Sequence, residues 1–93
     1  MNDFSIVGKE LRRCNNLSIE EAVIPDGITH IGSKAFSGCT SLKSITIPNS
    51  VEEIGFDAFS GCTSLKSVAL PDSVKGIGDD AFSGCTSLKS ITI

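Results

Sequence analysis

The sequence has no Trp and no Tyr, and five Phe are its only aromatic residues among 93. A conventional core of this size leans on larger side chains, so many small aliphatic contacts must take their place. A concentration of positive charge is also missing. Formal net charge is −3, and Lys and Arg are dispersed along the chain. A nucleic-acid binder needs a basic patch that displaces counterions from phosphate, so no nucleic-acid partner is expected. No apolar run approaches the roughly 18 residues that span a bilayer, and no membrane insertion is expected. The opening Met1-Asn2-Asp3-Phe4 has neither the basic n-region nor the apolar h-region of a secretory signal. Either the protein is cytosolic or a targeting segment was lost or removed, and the localisation stays unknown at this point.

What is present is repetition. Residues 39–61, CTSLKSITIPNSVEEIGFDAFSG, lie over residues 62–84, CTSLKSVALPDSVKGIGDDAFSG, with 16 of 23 positions identical. A third copy begins at Cys85 and stops at Ile93. Upstream, residues 19–38 read IEEAVIPDGITHIGSKAFSG and align from the Leu42 position onward. Cys14-Asn15-Asn16-Leu17-Ser18 carries two extra residues before that strand. A period of about 20–29 residues marks a leucine-rich solenoid.

Each unit has a physical logic. Leu42, Ile45 and Ile47 follow the L-x-x-I-x-I pattern of a short strand with one buried face. Pro48 stops that strand, because proline cannot donate to a ladder. Val51 and Ile54 turn inward along the opposite wall, and Gly55 lets the chain bend. Ala58-Phe59 predict one helical or 3-10 turn, its Phe filling the middle of the coil. Ser33 and Asp79 stand where a side chain could cap that turn, and Gly61 suits the left-handed position that ends it. The expected buried set is Leu42, Ile45, Ile47, Val51, Ile54, Ala58, Phe59 and Cys62. Stacked equivalents lie roughly 4.8 Å apart, and no unit buries its apolar face alone.

The commonest leucine-rich repeat has Asn or Cys at the ninth position after the first Leu, where Ser50 and Ser73 stand here. The Pro after the strand, the Ile-Gly-x-x-Ala-Phe segment and the following Cys resemble the BspA-like leucine-rich repeat family over residues 19–93. Phe4 to Leu11 is similar to the short hairpin that often precedes the first repeat in such proteins, with Gly8-Lys9 near its turn. Residues 1–18 are therefore read as an N-terminal cap, and residues 19–93 as repeats with the last truncated. The expected fold is α/β: a right-handed solenoid of about 3.5 repeats, with a parallel sheet on one wall and short helical turns between strands. The resemblance implies protein binding or adhesion at a cell surface or in secreted form, with no catalysis.

Individual residues give few chemical signals. Cys39, Cys62 and Cys85 recur every 23 residues, so they read as a buried ladder and neither as a disulfide framework nor as a zinc site. Cys14, in the atypical segment, is expected to be the exposed, reactive one. His30 matches Glu53 and Gly76 in register and reads as a solvated surface residue. Asp79-Asp80 reads as a cap and not as a cation site. Asn16-Leu17-Ser18 fits the glycosylation acceptor pattern with little weight. No cofactor and no metal are expected.

A partner surface is the remaining reading. Lys43, Lys66 and Lys89 form a column on the open strand face, headed by Glu20. Like charges about 5 Å apart in water repel by at most ~0.8 kcal/mol, so such a column is tolerable. It reads first as a solvated column and second as contact with an acidic partner. Thr46, Ala69 and Thr92 complete the candidate contact set, which has no aromatic anchor. Phe56 replaces the polar Ser33 and Asp79 and is expected to point outward, reading first as a partly covered surface residue and second as a contact for a partner or a second copy. Ile93 ends the chain on a strand with no segment after it. Two expectations compete: the chain is part of a longer array, or two copies form a homodimer through Ser90, Ile91, Thr92 and Ile93.

Overall fold

A computed structural model gives the fold and describes residues 3–92, the side chains of residues 90 and 92 excepted. Two strands, β1 (Phe4–Val7) and β2 (Glu10–Cys14), form an antiparallel hairpin that turns at Gly8, whose φ is 62°. Seven short strands follow: β3 (Glu21–Val23), β4 (His30–Ile31), β5 (Ser44–Thr46), β6 (Glu53–Ile54), β7 (Ser67–Ala69), β8 (Gly76–Ile77) and β9 (Ser90–Thr92). Every pairing after the hairpin is parallel and joins residues 23 apart, apart from the junction of β2 with β4. The 23-residue period read from the sequence is thus the register of the stack.

The parallel pairing occupies two walls, not one. The larger sheet, in the order β1-β2-β4-β6-β8, lies on the wall where the sequence suggested only a return path. The wall after each Leu-x-x-Ile motif carries β3–β5 and β7–β9 as separate pairs. Between β5 and β7 the link thins to one long bond, Lys66 N–H to the Lys43 carbonyl at 3.4 Å.

No helix occurs among the described residues, which corrects the expected helical turns. Lys34, Asp57 and Asp80 each take φ near +60° at one repeat position, and Gly38, Gly61 and Gly84 follow four residues later in the same left-handed region. Two left-handed residues so close together break the i→i+4 ladder. Successive tight turns form instead, closed by Ala35 N–H to Gly32, Ser37 N–H to Lys34 and Cys39 N–H to Phe36 carbonyls. The alternate amides point along the stack: Lys34, Phe36 and Gly38 donate to Phe56, Ala58 and Ser60 at 2.9, 2.7 and 2.9 Å. Asp57, Phe59 and Gly61 do the same to Asp79, Ala81 and Ser83. Backbone hydrogen bonds therefore tie this third wall coil to coil. Ser33 and Asp79 have no helix to cap, and both are exposed.

The core is a set of ladders running through the coils. Phe36 stacks on Phe59 and Phe59 on Phe82, each with centroids 5.2 Å apart. Phe4 of the hairpin meets Phe36 edge-on at 5.9 Å and so extends the aromatic row. Such aromatic pairs add about 0.5–1.5 kcal/mol each beyond area burial. All eight positions expected inside a coil, Leu42 to Cys62, are buried.

Gly55 and Gly78 are required for a reason other than bending. A Cβ on Gly55 would lie 2.7 Å from Ser33 N and 2.8 Å from Gly32 C; on Gly78, 2.5 Å from Phe56 N and 2.6 Å from Gly55 C. Both face the backbone of the preceding coil, so close stacking admits no side chain there.

Candidate interaction face

Strand alternation builds the outward face. On β3, β5 and β7 the middle residues Ala22, Ile45 and Val68 are buried, so Glu21, Val23, Ser44, Thr46, Ser67 and Ala69 face out. Parallel pairing aligns Val23 with Thr46 and Ala69 with Thr92. Lys43, Lys66 and Lys89 precede the strands and are exposed. Their amides bind the preceding coil: Lys43 N–H to Glu20 at 2.7 Å, and Lys89 N–H to Lys66 at 3.0 Å. Glu20 and Lys43 also approach through their side chains, at 3.7 Å. Both are solvent-exposed, so this pair orients the column more than it stabilises the fold.

The structure thus brings six of the expected contact positions to one wall. Phe56, 47% exposed, does point outward, but from the segment after β6 and away from the strand wall. Val23, 67% exposed, heads the row continued by Thr46. Its place could have been read by aligning Glu21-Ala22-Val23 with Ser44-Ile45-Thr46. Ile91 is 40% exposed on β9, whereas Ile45 and Val68 at the same repeat position are buried. Ile93 lies outside the described residues.

The other side chains with chemical potential are held in structural roles. All four thiols are free. Cys14 is buried, contrary to expectation, because the two extra residues are absorbed after it, in the loop where Leu17 turns outward. Cys62 and Cys85 donate S–H to the carbonyls of Phe36 and Phe59, at 3.2 and 3.1 Å. Burial, reinforced by neighbouring sulfurs of the ladder, pushes the Cys39 and Cys62 thiols up to about 12, and burial also raises Cys85. These thiols are poor nucleophiles. His30 is exposed in a row between Glu10 and Glu53, its Nδ1 2.8 Å from Thr29 Oγ1. Among the described residues no group of three or more His, Cys, Asp or Glu is placed to hold a metal ion. Ser50 Oγ accepts the Gly27 amide at 3.1 Å, so this serine ties neighbouring loops together. Ser73 Oγ is buried without a partner among the described residues.

The family model for the BspA type leucine rich repeat region matches residues 11–93, in six copies. The chain belongs to the BspA-type leucine-rich repeat family. Among solved structures of this repeat, a leucine rich cell surface protein from Faecalibacterium prausnitzii A2-165 is 38% identical with a TM-score of 0.75, over 78% of this chain and 19% of that one. A leucine-rich repeat protein from Bacteroides ovatus ATCC 8483 is 26% identical with a TM-score of 0.65, over 100% of this chain and 32% of that one. One from Bacteroides capillosus ATCC 29799, at 20% identity and TM-score 0.65, shows the fold alone. This BspA-type chain therefore spans about a fifth and a third of the length of the first two. No curated protein matches it significantly.

Proposed function

We propose that this chain is a non-catalytic protein-binding segment of a cell-surface, adhesin-type protein, and that its right-handed solenoid presents the strand wall to the partner. The observation that carries this reading is the exposed strand wall, with mostly small residues in register and a column of Lys43, Lys66 and Lys89 beside them. Kinship at 38% identity with a protein described as a leucine rich cell surface protein supports the location. Ser44, Thr46, Ser67 and Ala69 leave the wall free of bulk, so an acidic partner surface can lie close to the lysines. Phe56 is a second contact on the same molecule, reached from another side.

Binding of the immobilised chain to a panel of secreted and extracellular-matrix proteins tests this. The expected result is capture of at least one member, weakened about tenfold or more when Lys43, Lys66 and Lys89 are all changed to Glu. Capture of none, or capture indifferent to the triple change and to Phe56→Ser, would refute it.

A second reading, a homodimer or intracellular scaffold joined through the last coil, is favoured by one contrast. Ile77 is 47% exposed while Ile54, one coil earlier, is buried, and Ile91 repeats this on the other wall. Light scattering on a sizing column distinguishes it: a mass that doubles with concentration and reverts on Ile91→Asp supports self-association, and a constant monomer mass rejects it.

A further inference from the structure

A cleft of about 280 Å³ opens between the hairpin and the first turn wall, lined by Arg13, Cys14, Leu17, Lys34, Ala35 and Ser37. Cys14 and Ala35 are buried and form its floor, tied together by the Cys14 N–H to Ala35 carbonyl bond at 2.7 Å. Arg13, Leu17 and Lys34 are exposed and Ser37 is half-buried, so these four form the rim. Two cations, one hydroxyl and one aliphatic side chain therefore converge on a concave surface.

The charge here runs against the rest of the chain. Net charge is −3, and the repeat position of Lys34 is taken by Asp57 and Asp80 in the next two coils. Arg12 pairs with Glu10 at 3.2 Å and Lys43 with Glu20 at 3.7 Å, whereas Arg13 and Lys34 have no ion-pair partner among the described residues. Like charges brought to one cleft, neither of them ion-paired, favour an anion there. The volume is below the roughly 300 Å³ at which small-molecule pockets begin, and suits one or two amino-acid side chains. Asp57, Asp79 and Asp80 along the same wall interrupt any cationic track that a nucleic-acid backbone would need.

We propose that this cleft receives an acidic side chain of a protein partner, a Glu or Asp held between Arg13 and Lys34 with Ser37 as a further donor, and that an adjacent aliphatic residue lies on Leu17. The partner's being a protein rests on the reading above; the site itself does not, since it lies off the strand wall. Arginine supplies a planar fork suited to carboxylate, and lysine a point charge.

Titration of the isotopically labelled chain with N-acetyl-Leu-Glu-Leu amide, followed by NMR, tests the proposal. The expected result is saturable shifts of the Arg13, Leu17, Lys34 and Ser37 amides. The matching Gln peptide should bind about tenfold more weakly or less. Lys34→Asp should cost about tenfold in affinity and keep the folded spectrum, because Asp57 and Asp80 already hold that backbone conformation. Arg13→Gln is the second variant and should act likewise, while Lys66→Glu should leave the titration unchanged, separating this site from the strand wall. The proposal is overturned by no response up to about 10 mM peptide, by equal binding of the Gln peptide, or by indifference to both cleft variants. Equal response of the same amides to inorganic phosphate would mean a general anion site and would also overturn it.

Discussion

Gly55→Ala adds one methyl group, and the stack decides what that methyl costs. Its Cβ would sit 2.7 Å from Ser33 N, 2.8 Å from Gly32 C and 2.9 Å from the Ile31 carbonyl oxygen, all backbone atoms of the preceding coil. Relief to an ordinary contact near 3.4 Å requires the two coils to part by about 0.7 Å. The Gly55 N–H to Ile31 carbonyl bond, 2.7 Å long, would then stretch to about 3.4 Å, the weak end of the range, and the Lys34 to Phe56 bond beside it would weaken too. Overpacking of this kind costs about 1–3 kcal/mol, and each weakened bond about 1 kcal/mol more. The expected destabilisation is therefore about 3–5 kcal/mol, or a fall in Tm of at least about 12 °C for a domain of this size. Gly76→Ala is the control, since the nearest atoms its Cβ would meet belong to the flexible carboxylate of Glu53, and it should stay within about 0.5 kcal/mol of wild type. Gly32→Ala, whose nearest contacts are 3.2 Å, should fall between. Urea and thermal denaturation followed by far-ultraviolet circular dichroism measures all three without Trp. If Gly55→Ala proved no less stable than Gly76→Ala, close backbone stacking would not be the reason for the glycine.

Other expectations follow from the same ladders. Phe59→Ala, in the middle of the aromatic stack, should cost about 3–5 kcal/mol, and Phe82→Ala, at its half-buried end, clearly less. Asp57→Val should be about 1–2 kcal/mol less stable than Asp57→Gly in the same urea assay, because φ is +56° there and a β-branched residue resists it. With thiols near 12, Cys39 and Cys62 should react with an aromatic disulfide at pH 8 at least about thirtyfold more slowly than in the urea-unfolded chain, since the loss of thiolate outweighs its greater nucleophilicity. The same raised values mean that this contribution to stability is complete below the ordinary thiol value of 9.0 and declines as pH rises from there toward 12. Denaturation midpoints at pH 8, 9.5 and 10.5 should fall in that order, and should fall less in Cys62→Ala.

The coil's interior was legible because stacking maps repeat positions onto similar environments: Leu42, Ile45, Val51 and Phe59 hold positions of the 23-residue repeat, and all four are buried. The turn wall was not. A short Ala-Phe segment after Ser or Asp looks like a capped helical turn, and only the sign of φ at Lys34, Asp57 and Asp80 shows the alternative. Asp at two of those three positions was a clue, since Asp tolerates the left-handed region better than most residues. Cys14 was misjudged because its 25-residue spacing to Cys39 breaks the period, although the two extra residues fall after it and leave it in the ladder. The cleft could not be read at all: Arg13 and Lys34 are 21 residues apart and meet only because the hairpin packs on the first coil.

On the turn wall the coils bind one another through backbone, which leaves the strand-wall side chains exposed. Native-state amide hydrogen exchange, resolved by residue, tests this most directly. Phe36, Gly38, Phe59 and Gly61 should be strongly protected, while Phe82 and Gly84, whose amides have no partner among the described residues, should exchange much faster. Equal protection of Phe82 and Phe59, or protection that fails to recur with the 23-residue period, would contradict it.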